Sequence, residues 1–303
     1  MDYYSVDLGL PNNMDPNDAC AFCTANKTTR NWFDFTPSAP WKRSSPRPRA
    51  SPHQVYELRG FTTWHFGIDW LHTMDLGVAS HAIGNVLADV VFRRLSHLGR
   101  DAAMVQVTSI VYDGEVEHGR LPPSLELTNF TNPKSPNSVY PVLQYCKASE
   151  VMALVPRVAE LARVMCDGSQ LSVHMKAMML HLDQMYSIVH NSGLALGDEW
   201  SNFDSATTKF LLEYNWCSDH ALRARPYLPR FSVVPKHHYT AHLAQQARLI
   251  NPKFVWTYGG EDFVGKISDL AHSCLRGTAV YRVPTSLMER YRLGMHTQLR
   301  ARL

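Results

Sequence analysis

The segment VASHAIGNVLADVVFRRLSHLG, residues 78–99, decides the fold class. Its apolar positions Ala79, Ala82, Ile83, Val86, Leu87, Val90, Val91, Leu95 and Leu98 recur at i, i+3, i+4, i+7. That is the spacing of a helix with one buried face, and Gly99 supplies the stop. His81 and Asp89 interrupt the run, so it falls short of the roughly 18 uncharged apolar residues of a membrane span. No membrane partner is expected.

Working outward, the same period returns repeatedly. Residues 147–166 read as a helix that Pro156 should kink or divide. Leu171 to His190 is a helix closed by Asn191-Ser192-Gly193, and another starts at an Asp204/Ser205 cap and runs to about Leu222. Pro235 suits the first turn of a helix over 235–249. The last two helices are expected over 261–276, ended by Gly277, and 284–301. Strand candidates are few: Met104–Tyr112, Arg230–Val234 and Phe254–Tyr258. The fold class is mainly α with a thin β component. Residues 1–60 and 100–142 are irregular and proline-rich, and WKRSSPRPRASP (41–52) reads as an exposed loop. Three segments follow: 1–76, 77–225 and 226–303.

The chain has 303 residues, 45% of them hydrophobic, enough to bury a core. Its formal net charge of +3 hides an asymmetry. Residues 220–303 carry 13 Lys/Arg against 4 Asp/Glu, a local +9 on a body of −6, which suits an anionic partner. The opening MDYYSVDLGLPNN has neither a basic n-region nor an apolar run, and six cysteines are too sparse for a disulfide scaffold. An intracellular, reducing compartment is expected. There is no Gly-rich phosphate loop, no GxSxG and no HExxH, which counts against the common nucleotide-binding and hydrolase classes and leaves no small-molecule substrate in view.

Three constellations carry chemistry. Cys20-x-x-Cys23 supplies half of a tetrahedral zinc site, and Asp69-x-x-His72 offers a carboxylate and an imidazole one turn apart as the other half, with His53 and His65 as further donors. On spacing alone, two buried thiols, a helix-capping Asp and a core histidine are the plainer reading of the same residues. Glu261 stands at the start of a helix after Gly259-Gly260, as a Mg²⁺ ligand or as the acid that complements a helix dipole. In Pro235-Lys236-His237-His238-Tyr239, His238 shares a helix face with His242, suited to metal or phosphate, or to a polar face with one core histidine.

Taken in order, LGLP, CAFC-x-AN, DWLHTMDLGVASHAIGNVL, PKHHYTAHL and W-x-YGGEDFVGKI resemble the latter part of eukaryotic DDE-type transposases of the CACTA/Plavaka-like group. The resemblance implies an RNase H-like α/β core interrupted by a helical insertion domain, with the short strands belonging to an incomplete core. It implies a metal set of Cys20, Cys23, Asp69 and His72, with structural zinc as cofactor. Glu261 matches the catalytic glutamate, and Mg²⁺ would serve only a competent enzyme. It further implies a nuclear location and DNA as partner, reached through Lys236, His237, His238, Arg276, Arg282, Arg290 and Arg292. For the arginines a solubilising surface helix is the plain alternative. DDE chemistry needs three carboxylates around two metal ions. Only 19 residues precede Cys20, so the first catalytic Asp is expected to be missing, with Asp2 or Asp7 at most a remnant of the second. The expected function is therefore a transposase-derived, catalytically incomplete nucleic-acid binder. An active strand transferase and an interaction protein with no nucleic-acid role are the rivals.

Overall fold

The computed structural model describes residues 20, 22–43, 57–61, 65–132, 134, 140–224, 229–275, 277 and 279–300. Eight long helices carry them: α1 (Leu71–Arg94), α2 (Arg100–Val111), α3 (Ala148–Val164), α4 (Gln170–Asn191), α5 (Glu199–Arg223), α6 (Pro235–Gln246), α7 (Tyr258–Leu275) and α8 (Val283–Arg300). The mainly helical class expected from periodicity is the one observed. Among the described residues there is no β-strand, only an isolated bridge between Asn26 and Asn31.

The three strand candidates fail for identifiable reasons. Met104–Tyr112 lies in α2, where Ala103, Met104, Val107 and Val111 are buried while Val105 is exposed, a helical rather than alternating pattern. Its β-branched residues were overridden by packing against α1 and α3. Arg230–Val234 is irregular because Phe231, at φ +53°, gives its N–H to the Asn85 side chain at 2.8 Å instead of to a neighbouring strand. Phe254 ends a short 3₁₀ turn, and Tyr258 already opens α7. Pro156 neither ends nor divides α3, and α5 starts at Glu199, earlier than the Asp204/Ser205 cap suggested.

α1 is the centre of the larger unit, packing against α2, α3 and α6, while α4 and α5 form the most extensive helix pair. Val78, Ala82, Ile83, Val86, Leu87, Val90 and Val91 are all buried, and each large one contributes about 1.5–3 kcal/mol by leaving water. By length and composition α1 is apolar enough to cross a membrane, but 83% of its most apolar window is buried inside the protein. Its polar groups are answered there too. Asp75 accepts from the Tyr186 hydroxyl at 2.7 Å, and Asp89 is held by Arg93 and Arg94 at 2.7 and 2.8 Å. Asn85 donates to the His81 and Pro141 carbonyls, tying α1 to the 140–143 segment.

α1 is broken at Leu76–Gly77, where the backbone leaves helical values. The Leu76 carbonyl freed by the break accepts from Lys236 Nζ at 3.0 Å. A Cβ at Gly77 would stand 2.6 Å from Lys236 Cδ and 3.0 Å from the His72 carbonyl, so any larger residue would displace the lysine from the break. The packing divides the chain into two compact units, Met1–Val255 and Trp256–Leu303. The Cys-pair segment, α1 to α5 and α6 all belong to the first.

Candidate metal centre

α6 brings the site together. Val234 is extended, Pro235 occupies the first helical turn, and the helix then places His238 and His242 one turn apart on one face. That face meets the loop carrying Cys20 and Cys23. The ligand-capable atoms of Cys20, Cys23, His238 and His242 all lie within 4.8 Å of one another, and all four residues are buried. Cys23 Sγ is 3.3 Å from His238 Nε2, and the two Nε2 atoms are 3.1 Å apart. A tetrahedral zinc with bonds of about 2.3 Å to sulfur and about 2.0 Å to nitrogen requires separations of about this size. This buried cluster is one that could hold a metal ion such as zinc.

The surroundings fix the ligands in metal-binding form. His238 Nδ1 faces the Trp32 carbonyl at 2.6 Å, and His242 Nδ1 faces the Gln245 side-chain oxygen at 2.8 Å. A carbonyl oxygen can only accept, so each Nδ1 carries the proton and each neutral ring turns its Nε2 lone pair towards the cluster. Two lone pairs 3.1 Å apart repel unless a cation stands between them. The sulfurs are prepared in parallel. The Phe22 N–H donates to Cys20 Sγ at 3.2 Å and the Ala25 N–H to Cys23 Sγ at 3.3 Å. Burial pushes the Cys20 thiol up, but the hydrogen bond with Cys23 and the nearby His242 and His238 outweigh it and hold it well below the ordinary thiol value. Burial lowers His238, and its hydrogen bond with Cys20 works in the opposite direction. Thiolate sulfurs, and rings whose Nδ1 carries the proton, are the forms that bind zinc.

Aromatic side chains close the site. The Trp41 ring lies 4.4 Å from the His238 ring and 5.2 Å from that of His242, and Phe22 is 5.6 Å from His242. A cavity of about 310 Å³ adjoins Cys23 and His242 between Lys42 and Arg248, an entry path for an ion. Two cysteines and two histidines make the four-donor set typical of structural zinc sites.

The structure does not bring Asp69 and His72 to the cysteines. Asp69 caps α1, accepting from the His72 N–H at 3.1 Å, and its carboxylate meets His72 Nδ1 at 2.5 Å. The metal set expected as Cys20, Cys23, Asp69 and His72 is thus replaced by one in which α6 supplies both nitrogens. The second half was visible as His238-x-x-x-His242, a recurrent zinc-ligand spacing, but 215 residues separate Cys23 from His238.

Other expected site residues also stand elsewhere. His237 is completely buried against Tyr214 and His238 is 2% exposed, so neither can touch a phosphate. Lys236 clamps the break in α1. Arg282, Arg290 and Arg292 are exposed in the second unit, where Arg290 donates to Ser273 Oγ at 2.8 Å. Glu261 lies in the first turn of α7, but its side chain, like Arg276, Asp2, Asp7 and His53, is outside the described residues. Compared with known proteins, the chain matches no family model, no curated protein and no solved structure.

Proposed function

We propose that this is a transposase-derived protein whose helical body is stapled by a structural zinc, and that it binds DNA without cutting or joining it by itself. The observation that carries the reading is the four-donor cluster. CAFC and PKHHYTAHL, two of the motifs behind the resemblance, supply two ligands each to one centre, as pieces of a single working unit would. On this reading the helical body corresponds to the insertion domain of such an enzyme rather than to its RNase H-like core. DNA contact falls to the second unit, where Arg282, Arg290 and Arg292 are exposed and free of close carboxylates among the salt bridges observed. Such contacts are non-specific and release counterions, so they weaken steeply with salt.

The test is a titration of labelled duplex DNA with the zinc-loaded full chain at 50 and 200 mM salt, values of the order used to resolve a counterion slope. Affinity should drop with salt, and the combined substitution Arg282→Gln, Arg290→Gln, Arg292→Gln should reduce the slope by about three. Absence of binding at the lower salt would overturn the reading.

A further inference from the structure

The largest cavity described, about 660 Å³, is unrelated to the metal centre. It opens between the end of α1, the first turn of α4 and the last turns of α5, and Arg230 and Phe231 form part of its wall. Its volume lies in the range of small-ligand sites. A hollow of about 410 Å³ shares Gln170, His220 and Ala224 with it, so the two adjoin and are treated together as one cleft.

The cleft is cationic and short of acceptors. Arg93, Arg100, Arg223 and Arg230 line it against Asp89 and Asp219. Asp89 is already saturated, taking Arg93 Nε and Nη2 at 2.7 and 3.0 Å and Arg94 Nε at 2.8 Å. Arg230 Nη1 is buried with no hydrogen-bond partner among the described residues, an N–H that an anionic oxygen would satisfy. The first turn of α4 adds to this. Ser169 makes no side-chain cap there, because its hydroxyl is given to Asp167 at 2.6 Å. The positive end of the α4 dipole therefore faces the same space.

The cleft also offers a ring platform. His174, Trp216 and His220 are stacked, with centroids 3.6 and 5.0 Å apart and planes within 19° and 15°. His220 is exposed and is the end of the stack that lines the cleft. An aromatic ring laid on it would continue the series. Anion-seeking donors beside a ring platform match one chemistry: a phosphate ester attached to a planar heterocycle.

We propose that this cleft binds a nucleotide, its phosphate held by Arg230, Arg100 and the first turn of α4 and its base continuing the His174–Trp216–His220 stack. The site uses none of the C-terminal arginines and does not depend on the DNA-binding reading above. The ligand is either a free mononucleotide or one unit of a single strand, and the two sources are separated by experiment.

The zinc-loaded full chain is titrated calorimetrically with thymidine monophosphate, with inorganic phosphate and with a short oligothymidylate. The mononucleotide should bind about tenfold or more tightly than phosphate, because stacking adds to the phosphate contacts. If the oligonucleotide binds more tightly still, the source is a strand; if both bind equally, it is the free nucleotide. His220→Ala should weaken nucleotide but not phosphate binding, and Arg230→Gln should weaken both by about tenfold. If Arg230→Gln fails to fold, the exposed Arg100→Gln carries the same expectation. Arg282→Gln with Arg290→Gln and Arg292→Gln should leave mononucleotide binding unchanged, so this site and the duplex-binding surface fail or stand separately. No binding of any of the three probes at low salt, or nucleotide affinity unchanged in both His220→Ala and Arg100→Gln, would overturn the proposal.

Discussion

The Nδ1 atoms of His238 and His242 each face an oxygen, and that decides what their other nitrogens can do. With Nδ1 protonated, both Nε2 atoms present lone pairs to Cys20 and Cys23 in a space shut off by Trp41 and Phe22. A sequence shows only that two histidines share a helix face; the tautomer depends on the Trp32 carbonyl, which is brought in from a distant loop. The Asp69–His72 pair shows the reverse case, since its spacing suits metal ligation but the two side chains satisfy each other. Cys23→Ser or His242→Ala should therefore reduce bound zinc from one equivalent per chain to none, while Asp69→Asn and His72→Ala should leave it unchanged. Elemental analysis of the purified variants reads the difference. Zinc retained in His242→Ala but lost in His72→Ala would assign the ligands the other way.

Among the helices, α1 shows how far local preference yields to packing. Gly84 sits mid-helix, where alanine is ordinarily better by about 1 kcal/mol. Here a Cβ would stand 2.8 Å from Val142 Cα and 2.8 Å from the Leu143 N, and both are backbone atoms. The neighbouring segment cannot yield, because Leu143 N donates to the Ser80 carbonyl at 2.9 Å and Asn85 holds the Pro141 carbonyl. Gly84→Ala should thus destabilise by about 1–3 kcal/mol despite its better helix propensity, as urea unfolding would measure. A gain in stability would show that the 140–143 segment moves aside. α2 carries the same lesson. Its β-branched run MVQVTSIVY reads as a strand until burial selects Ala103, Met104, Val107 and Val111 at helical spacing.

At the scale of the whole molecule, the Cys20, Cys23, His238 and His242 cluster spans more than two hundred residues and brings the Cys-pair segment to α6. Structural zinc sites are worth on the order of 10 kcal/mol in binding free energy, most of it released as folding energy. Chelation should lower the thermal midpoint and expose residues 20–43 to protease; an unchanged midpoint would mean the cluster folds fully without metal. Buried histidines add a pH dependence. Burial, reinforced by Lys236, lowers His81 to about 4. Burial again, with His118 and Lys253, lowers His190 to about 4, and His237 falls to about 3 through burial and His81. Their unfolded values lie near about 6.5. Between those limits the unfolded chain binds the extra protons, so stability falls as pH drops from about 6.5 towards about 4. Urea midpoints should follow that direction, and His190→Gln, outside the metal centre, should make the slope shallower. A midpoint flat over this range would show that these rings are solvated.

Much of this protein is determined by short-range pattern. The helical class and most helix positions follow from 3.6-residue periodicity, proline at the first turn of α6 and glycine at 99, because these are properties of neighbouring residues. The cysteine pair and the two histidines of α6 are equally visible, each as half of a zinc site. Which halves join, that α2 is not a strand, that Lys236 holds a broken helix and that His237 is core were decided by tertiary structure alone. Each depends on atoms brought together from segments tens to hundreds of residues apart, and no local spacing encodes that meeting.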